Sequence, residues 1–244
     1  MRLGDSWTVA MKDISTFRRK SYILYSLVAL PVVLAVVLPG SLLFSGANGS
    51  VPASTLVQLL QAELSILIML AAILPSVIGS YSFIGEKVEK SLEPLLATPA
   101  SDEELLLGKC LAAFLPSVAA TYVGAAIFMA ISDAATYGRL GYLLFPDADA
   151  AVILLLAVPF ASILSVEFSV IVSSRVNDIR AAQQLGSLII LPMVLIFLLG
   201  ETGTLSIDPF HLLIVSGILL VGDVGLAFVS RATFQREEIL TRWK

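Results

Sequence analysis

Six long apolar runs, separated by segments that alternate between many basic residues and almost none, constrain the fold of this chain most. The runs cover residues 22–44, 60–84, 110–131, 151–173, 185–200 and 210–230. All but the fifth reach the ~20 residues that carry a helix across ~30 Å of hydrocarbon at ~1.5 Å per residue. Ahead of the first run stand Arg2, Lys12, Arg18, Arg19 and Lys20, whereas the following segment, 45–59, holds no Lys or Arg. The next segments hold Lys87, Lys90 and Lys109, then Arg139 alone, then Arg175 and Arg180, then none; Arg231, Arg236, Arg242 and Lys244 follow the last run. Fourteen of the fifteen basic residues therefore fall on one side. Positive charge stays cytoplasmic, so the expectation is an all-α integral membrane protein with six transmembrane helices and both termini cytoplasmic.

Charged residues make up 14% of the chain, against about a quarter in a soluble domain, and hydrophobic residues 57%. The longest segment between runs, 85–109, leaves no room for a soluble domain. The net charge of −4 averages over two membrane faces and selects no partner; no nucleic acid is expected to bind. The single cysteine, Cys110, excludes an internal disulfide and a cysteine metal cluster. The first run is longer than a signal-peptide core and follows a long arm, which argues against cleavage.

Two units are expected: an interfacial arm over 1–20 and a six-span domain over 21–244. In the arm, Leu3, Trp7, Ala10, Ile14 and Phe17 recur at helical spacing, with Asp5, Lys12 and Asp13 off that stripe. This pattern suits a helix lying in the cytoplasmic headgroup layer. Pro31, Pro75, Pro116, Pro159 and Pro192 fall inside the first five runs, each removing a backbone hydrogen bond. A membrane helix tolerates such a proline where a neighbour satisfies the freed carbonyl. The fifth run needs extension at one end or the other, and Gly217, Gly222 and Gly225 in the sixth allow close helix contact.

The segment 85–109 reads GEKVEKSLEPLLATPASDEELLLGK. Glu86 and Lys90 have the spacing and order of a helical ion pair. Leu92, Leu95 and Leu96 form an apolar edge, Thr98–Pro99 breaks the helix, and Ser101 with Glu104 makes a capping box for a new one. Asp102, Glu103 and Glu104 then occupy the first turn, where the helix dipole favours anions. A helix–break–helix elbow follows, able to lie on the membrane or to seat in a groove of a soluble partner.

The string GEKVEKSLEPLLATP, followed by ELLLGK, resembles the signature of ABC-2 type transporter permeases. The stretch SSRVNDIRAAQQ at 173–184 is similar to that family's segment between the fourth and fifth spans. The basic arm, six spans and internal termini also fit, so the resemblance covers essentially the whole chain. It implies the membrane subunit of an ATP-driven exporter in the plasma membrane, with the loop 85–109 facing an ATPase subunit. Glu86, Glu89, Glu93, Leu95, Leu96, Glu104 and Lys109 are the implied coupling residues; the position of the charged cluster Arg175, Asp178 and Arg180 suggests a second contact, with helix-end salt bridges as an equal alternative. No Walker A pattern occurs: Cys110 follows Gly108–Lys109, and Glu103 stands where the earlier glycine belongs. ATP and Mg are thus expected on a separate ATPase subunit, with no cofactor on this chain, which is not expected to be an enzyme. A second permease, a copy or a related chain, would complete the transporter.

Glu167 in the fourth run and Asp223 in the sixth are the most expensive residues to place in lipid, at about 2.5–3.5 kcal/mol for a central acid. They are candidates for a substrate pathway or a cation site; pairing with Arg175 or Arg231 is the structural alternative. Glu63, near the outer end of the second run, is expected to be wet. His211 has no metal-ligand neighbours, and neither a His-Glu-x-x-His nor a Gly-x-Ser-x-Gly pattern occurs. The competing function is an ion-coupled secondary transporter using Asp223 and Glu167; a membrane scaffold would need neither. The cargo is not readable from these residues.

Overall fold

In the computed structural model, residues 3–19, 21–46, 52–89, 101–176, 178–201 and 208–233 are described, and every regular element among them is helical. α1 is Leu3–Arg19, α2 Ser21–Gly46, α3 Ala53–Leu64, α4 Ile66–Val88 and α5 Asp102–Leu140. α6 is Ala148–Val152, joined by a π-helical turn at Ile153–Ala157 to α7, Val158–Arg175. α8 is Ile179–Gly186, joined by a 3-10 turn to α9, Ile190–Glu201, and α10 is Pro209–Thr233.

Five helical segments are long and apolar enough to cross a membrane, and α2 adds a shorter apolar stretch over Leu27–Leu42. The chain is thus an all-helical protein with five to six candidate spans. The second candidate is longer than its apolar run, covering Ala53–Glu86 with a break at Ser65. There the Ser65 hydroxyl and N–H both donate to Ala62 O, at 2.6 and 3.0 Å, tightening the turn between α3 and α4. The third fills a 39-residue helix that overruns residues 110–131 at both ends. The short fifth run becomes a 20-residue candidate, Arg180–Leu199, by taking in α8.

α4 and α7 form the central pair, α5 packs on both, α2 lies on α5, and α10 lies on α7. The sequence permits this close central pair because Ser162, Ser165, Ser169 and Ser173, all fully buried, make one small-residue face on α7. Opposite them is Gly79, where a Cβ would sit 2.8 Å from Ser169 Cβ. The serines also serve the backbone. Pro75 has no N–H for Ala71 O, and the Ser162 hydroxyl donates to that oxygen at 3.0 Å; Ser165 donates to Ala72 O at 2.5 Å.

Pro159 is accommodated differently. The π turn moves the Val158 N–H onto Ile153 O, which leaves Leu154 O opposite the nitrogen of Pro159. The Tyr122 hydroxyl of α5 donates to Leu154 O at 2.8 Å. At both prolines, therefore, the freed carbonyl finds a hydroxyl donor on a neighbouring helix. The glycines of α10 behave unequally: a Cβ at Gly222 would meet Leu164, but one at Gly217 or Gly225 would meet nothing within 4 Å. Only Gly222 is a close-contact glycine here.

Exposed apolar side chains line α2, α9 and α10, among them Val37, Leu191, Leu195, Val221 and Phe228. In water such faces would be costly; on a membrane protein they meet acyl chains or another subunit.

Candidate functional site

The first functional region lies where α1 crosses the start of α5. α1 buries Ser6, Ala10, Asp13 and Phe17, leaving Trp7 and Met11 exposed on the other side. The buried stripe is thus turned from the one read in the sequence, which included Trp7 and left Asp13 out. The reason is electrostatic. Asp13 Oδ2 stands 3.2 Å from Lys109 Nζ, whose side chain has no solvent contact. Packing also favours this register: Gly108 admits the α1 backbone, since a Cβ there would lie 2.8 Å from Ser6 O.

Lys109 is the centre of a four-residue ionic cluster. Its ammonium lies 2.9 Å from Glu86 Oε2, donates to Ser82 O at 3.0 Å and sits 4.7 Å over the Phe83 ring. Lys12 donates to Glu86 Oε1 at 2.6 Å and lies 3.7 Å from Asp13 Oδ1. Two cations and two anions thereby tie α1, α4 and α5 together, with each buried charge matched. Burial pulls the Lys12 ammonium down, but the hydrogen bond and charge of Glu86, with Asp13 adding to them, hold it above its ordinary value.

The sequence pairs Glu86 with Lys90, one helical turn on. Lys90 lies outside the described residues, as do Glu93, Leu95 and Leu96; Glu86 engages Lys109 and Lys12. Glu104 is also buried, in the capping box foreseen: its N–H donates to Ser101 Oγ at 3.3 Å, and its carboxylate accepts from Ser101 N at 2.9 Å. Glu89, Glu103, Arg175 and Asp178 are exposed at the same end of the bundle. Asp178 caps α8, accepting from Ala181 N at 3.2 Å. Lys12 and Asp13 were not singled out from the sequence. Their signal was an acid one helical turn from Ala10 and Phe17, which becomes legible only once Lys109 is known to need a counter-charge.

The second region is a cleft between α5, α7 and α10. Two adjoining pockets of about 220 and 130 Å³ share Leu107, Cys110 and Glu167. The larger is walled by Leu111, Phe114 and Ile163, and the smaller reaches Glu103, Ala227 and Ser230. Asp223, on the same face of α10 as Ala227 and Ser230, is 6% exposed. Both of its carboxylate oxygens and Oε2 of Glu167 are buried without a hydrogen-bond partner among the described residues. Arg175, considered as a partner, is exposed, and the side chain of Arg231 lies outside the described ones.

At the far end, Glu63 is buried rather than wet. His211 Nδ1 lies 2.9 Å from Asp208 Oδ1, which also accepts from His211 N at 2.9 Å and so caps α10. Among the described residues no group of three His, Cys, Asp or Glu is arranged to hold a metal ion.

The bundle, elbow and cleft acquire a common context from comparison with known families. Over residues 7–210 the chain matches the family described as ABC-2 family transporter protein. The chain belongs to the ABC-2 transporter family. The match runs from α1 to the first turn of α10, so it takes in the ionic cluster, the elbow and Glu167. No curated protein matches the chain significantly. As an ABC-2 permease it is a multi-pass membrane protein and a transport subunit of an ABC transporter, a class that associates with an ABC ATPase.

Proposed function

We propose that this permease forms the translocation pathway of an ABC exporter in the plasma membrane, with the α1 end cytoplasmic and ATP hydrolysed on a separate subunit docked there. The family match over residues 7–210 carries the reading. The orientation is supported by the placement of fourteen of fifteen basic residues on the side of α1.

The coupling residues divide into two roles. Glu89, Glu93, Leu95, Leu96, Arg175 and Asp178, joined by Glu103, are the groups that meet the ATPase. Glu86, Glu104 and Lys109 instead act from within, since their side chains are buried. Glu104 fixes the start of α5, and Glu86 with Lys109 welds α4, α5 and α1. Closure of the ATPases pushes the elbow, and the weld makes the three helices move together. Glu167 and Asp223 line the path that this movement opens. A second permease, a copy or a related chain, completes the pathway, and ATP and Mg bind only the ATPase. Family membership favours ATP as the energy source over the ion-coupled alternative.

Charge reversal at Glu89, Glu93 or Glu103 tests the docking face. The folded permease should persist while ATP-dependent export falls at least tenfold. Full export in all three variants would refute the assigned face.

A further inference from the structure

Resting on the pathway assigned above, we infer that the cleft between α5, α7 and α10 binds amphiphilic organic cations, their charged centre between Asp223 and Glu167 and their apolar body along Leu107, Leu111 and Phe114. Asp223 carries the argument. It is 6% exposed, and among the described residues neither carboxylate oxygen has a hydrogen-bond partner. It lies one helical turn from Ala227, which lines the cleft together with Glu167.

Among the described residues neither acid has an ion-pair partner, in contrast to Glu86 and Asp13, whose charges are matched by Lys109 and Lys12. A buried carboxylate without a partner costs free energy that a cation recovers. The rest of the cleft selects the kind of cation. No three-ligand metal set occurs among the described residues, which disfavours a bare ion. The pockets, about 220 and 130 Å³, exceed what a naked ion uses, since one water needs only about 10–15 Å³ on this measure. Leucines and a phenylalanine wall the larger one, as suits an apolar body attached to the charge.

The test uses the full chain in lipid nanodiscs, with tetraphenylphosphonium as probe and triphenylphosphine oxide as its neutral counterpart. Equilibrium dialysis should show saturable binding of the phosphonium, weakened at least tenfold by Asp223→Asn and by Glu167→Gln, with the neutral compound bound at least tenfold more weakly. Leu107→Trp, which fills the cleft and leaves both acids in place, should also abolish binding. Equal phosphonium binding by wild type and both acid variants would overturn the inference. So would equal binding of the neutral compound, or saturable uptake of sodium or calcium that excludes the phosphonium. Retention of the ATPase, read on the same preparation, separates failure of this site from failure of the transporter assignment.

Discussion

Lys109 Nζ stands 2.9 Å from Glu86 Oε2, joining the N-terminal part of α5 to the last turn of α4. The two are separated by the whole elbow in sequence, yet their charges meet in a site closed to solvent. Asp13 and Lys12 add the third helix, so one ionic cluster joins α1, α4 and α5.

Removing one member of this cluster leaves another charge buried and unmatched. Lys109→Met should destabilise the permease by about 3 kcal/mol, and Asp13→Asn by less, since Lys109 and Lys12 both keep Glu86 as a counter-charge. The double variant should cost clearly less than the two single effects together, because Asp13→Asn removes a charge that Lys109→Met strands. Thermal unfolding in detergent measures all three, and strict additivity would show that the pair does not interact.

The Lys12 contact carries a pH signature. Its ammonium is held above the ordinary 10.5, so the stabilisation it gives is fully present below pH 10.5 and is lost as pH rises through the higher folded value. Hydrogen exchange should show α1 equally protected from pH 8 to 10 and released only above that range. Release below pH 10 would mean that Lys12 does not hold α1.

Much of the α1-end geometry was legible, but unevenly. The capping box was readable because Ser101 and Glu104 are three residues apart and recognise only the local backbone. The hydropathy runs located the helices because each must satisfy its own backbone in lipid. The face of α1 was read one step off, because apolar spacing gives Trp7 weight and cannot know that Lys109 draws Asp13 inward. The Lys109 and Lys12 partners of Glu86 are not legible, because they come from segments distant in sequence that only burial brings together. Glu167 and Asp223 are legible by their cost alone; the walls of the cleft that Glu167 lines come from three separate helices.

The serine–proline arrangement between α4 and α7 makes a separable prediction. Ser162→Ala strands Ala71 O, the carbonyl freed by Pro75, and should cost about 1 kcal/mol. In a Pro75→Ala background the carbonyl regains its helical N–H, and the same serine change should then cost less than half as much. An unchanged cost would mean that Ser162 is there only for its size.

Close approach at Gly79 has its own test. Gly79→Ala puts a Cβ 2.8 Å from Ser169 Cβ and should lower the unfolding temperature, whereas the Gly79→Ala, Ser169→Gly pair should recover most of the loss. Failure of the second change to rescue the first would place the strain elsewhere.

The most direct test of the central claim is affinity purification of the tagged chain from its native host in mild detergent, with ATP hydrolysis assayed in the eluate. A stoichiometric ATPase subunit should co-purify, and it should be lost when residues 89–100 are replaced by a Gly/Ser linker of equal length, leaving the ionic cluster and the capping box in place. An eluate from the unaltered chain that contains no ATPase, even after crosslinking, would contradict the claim.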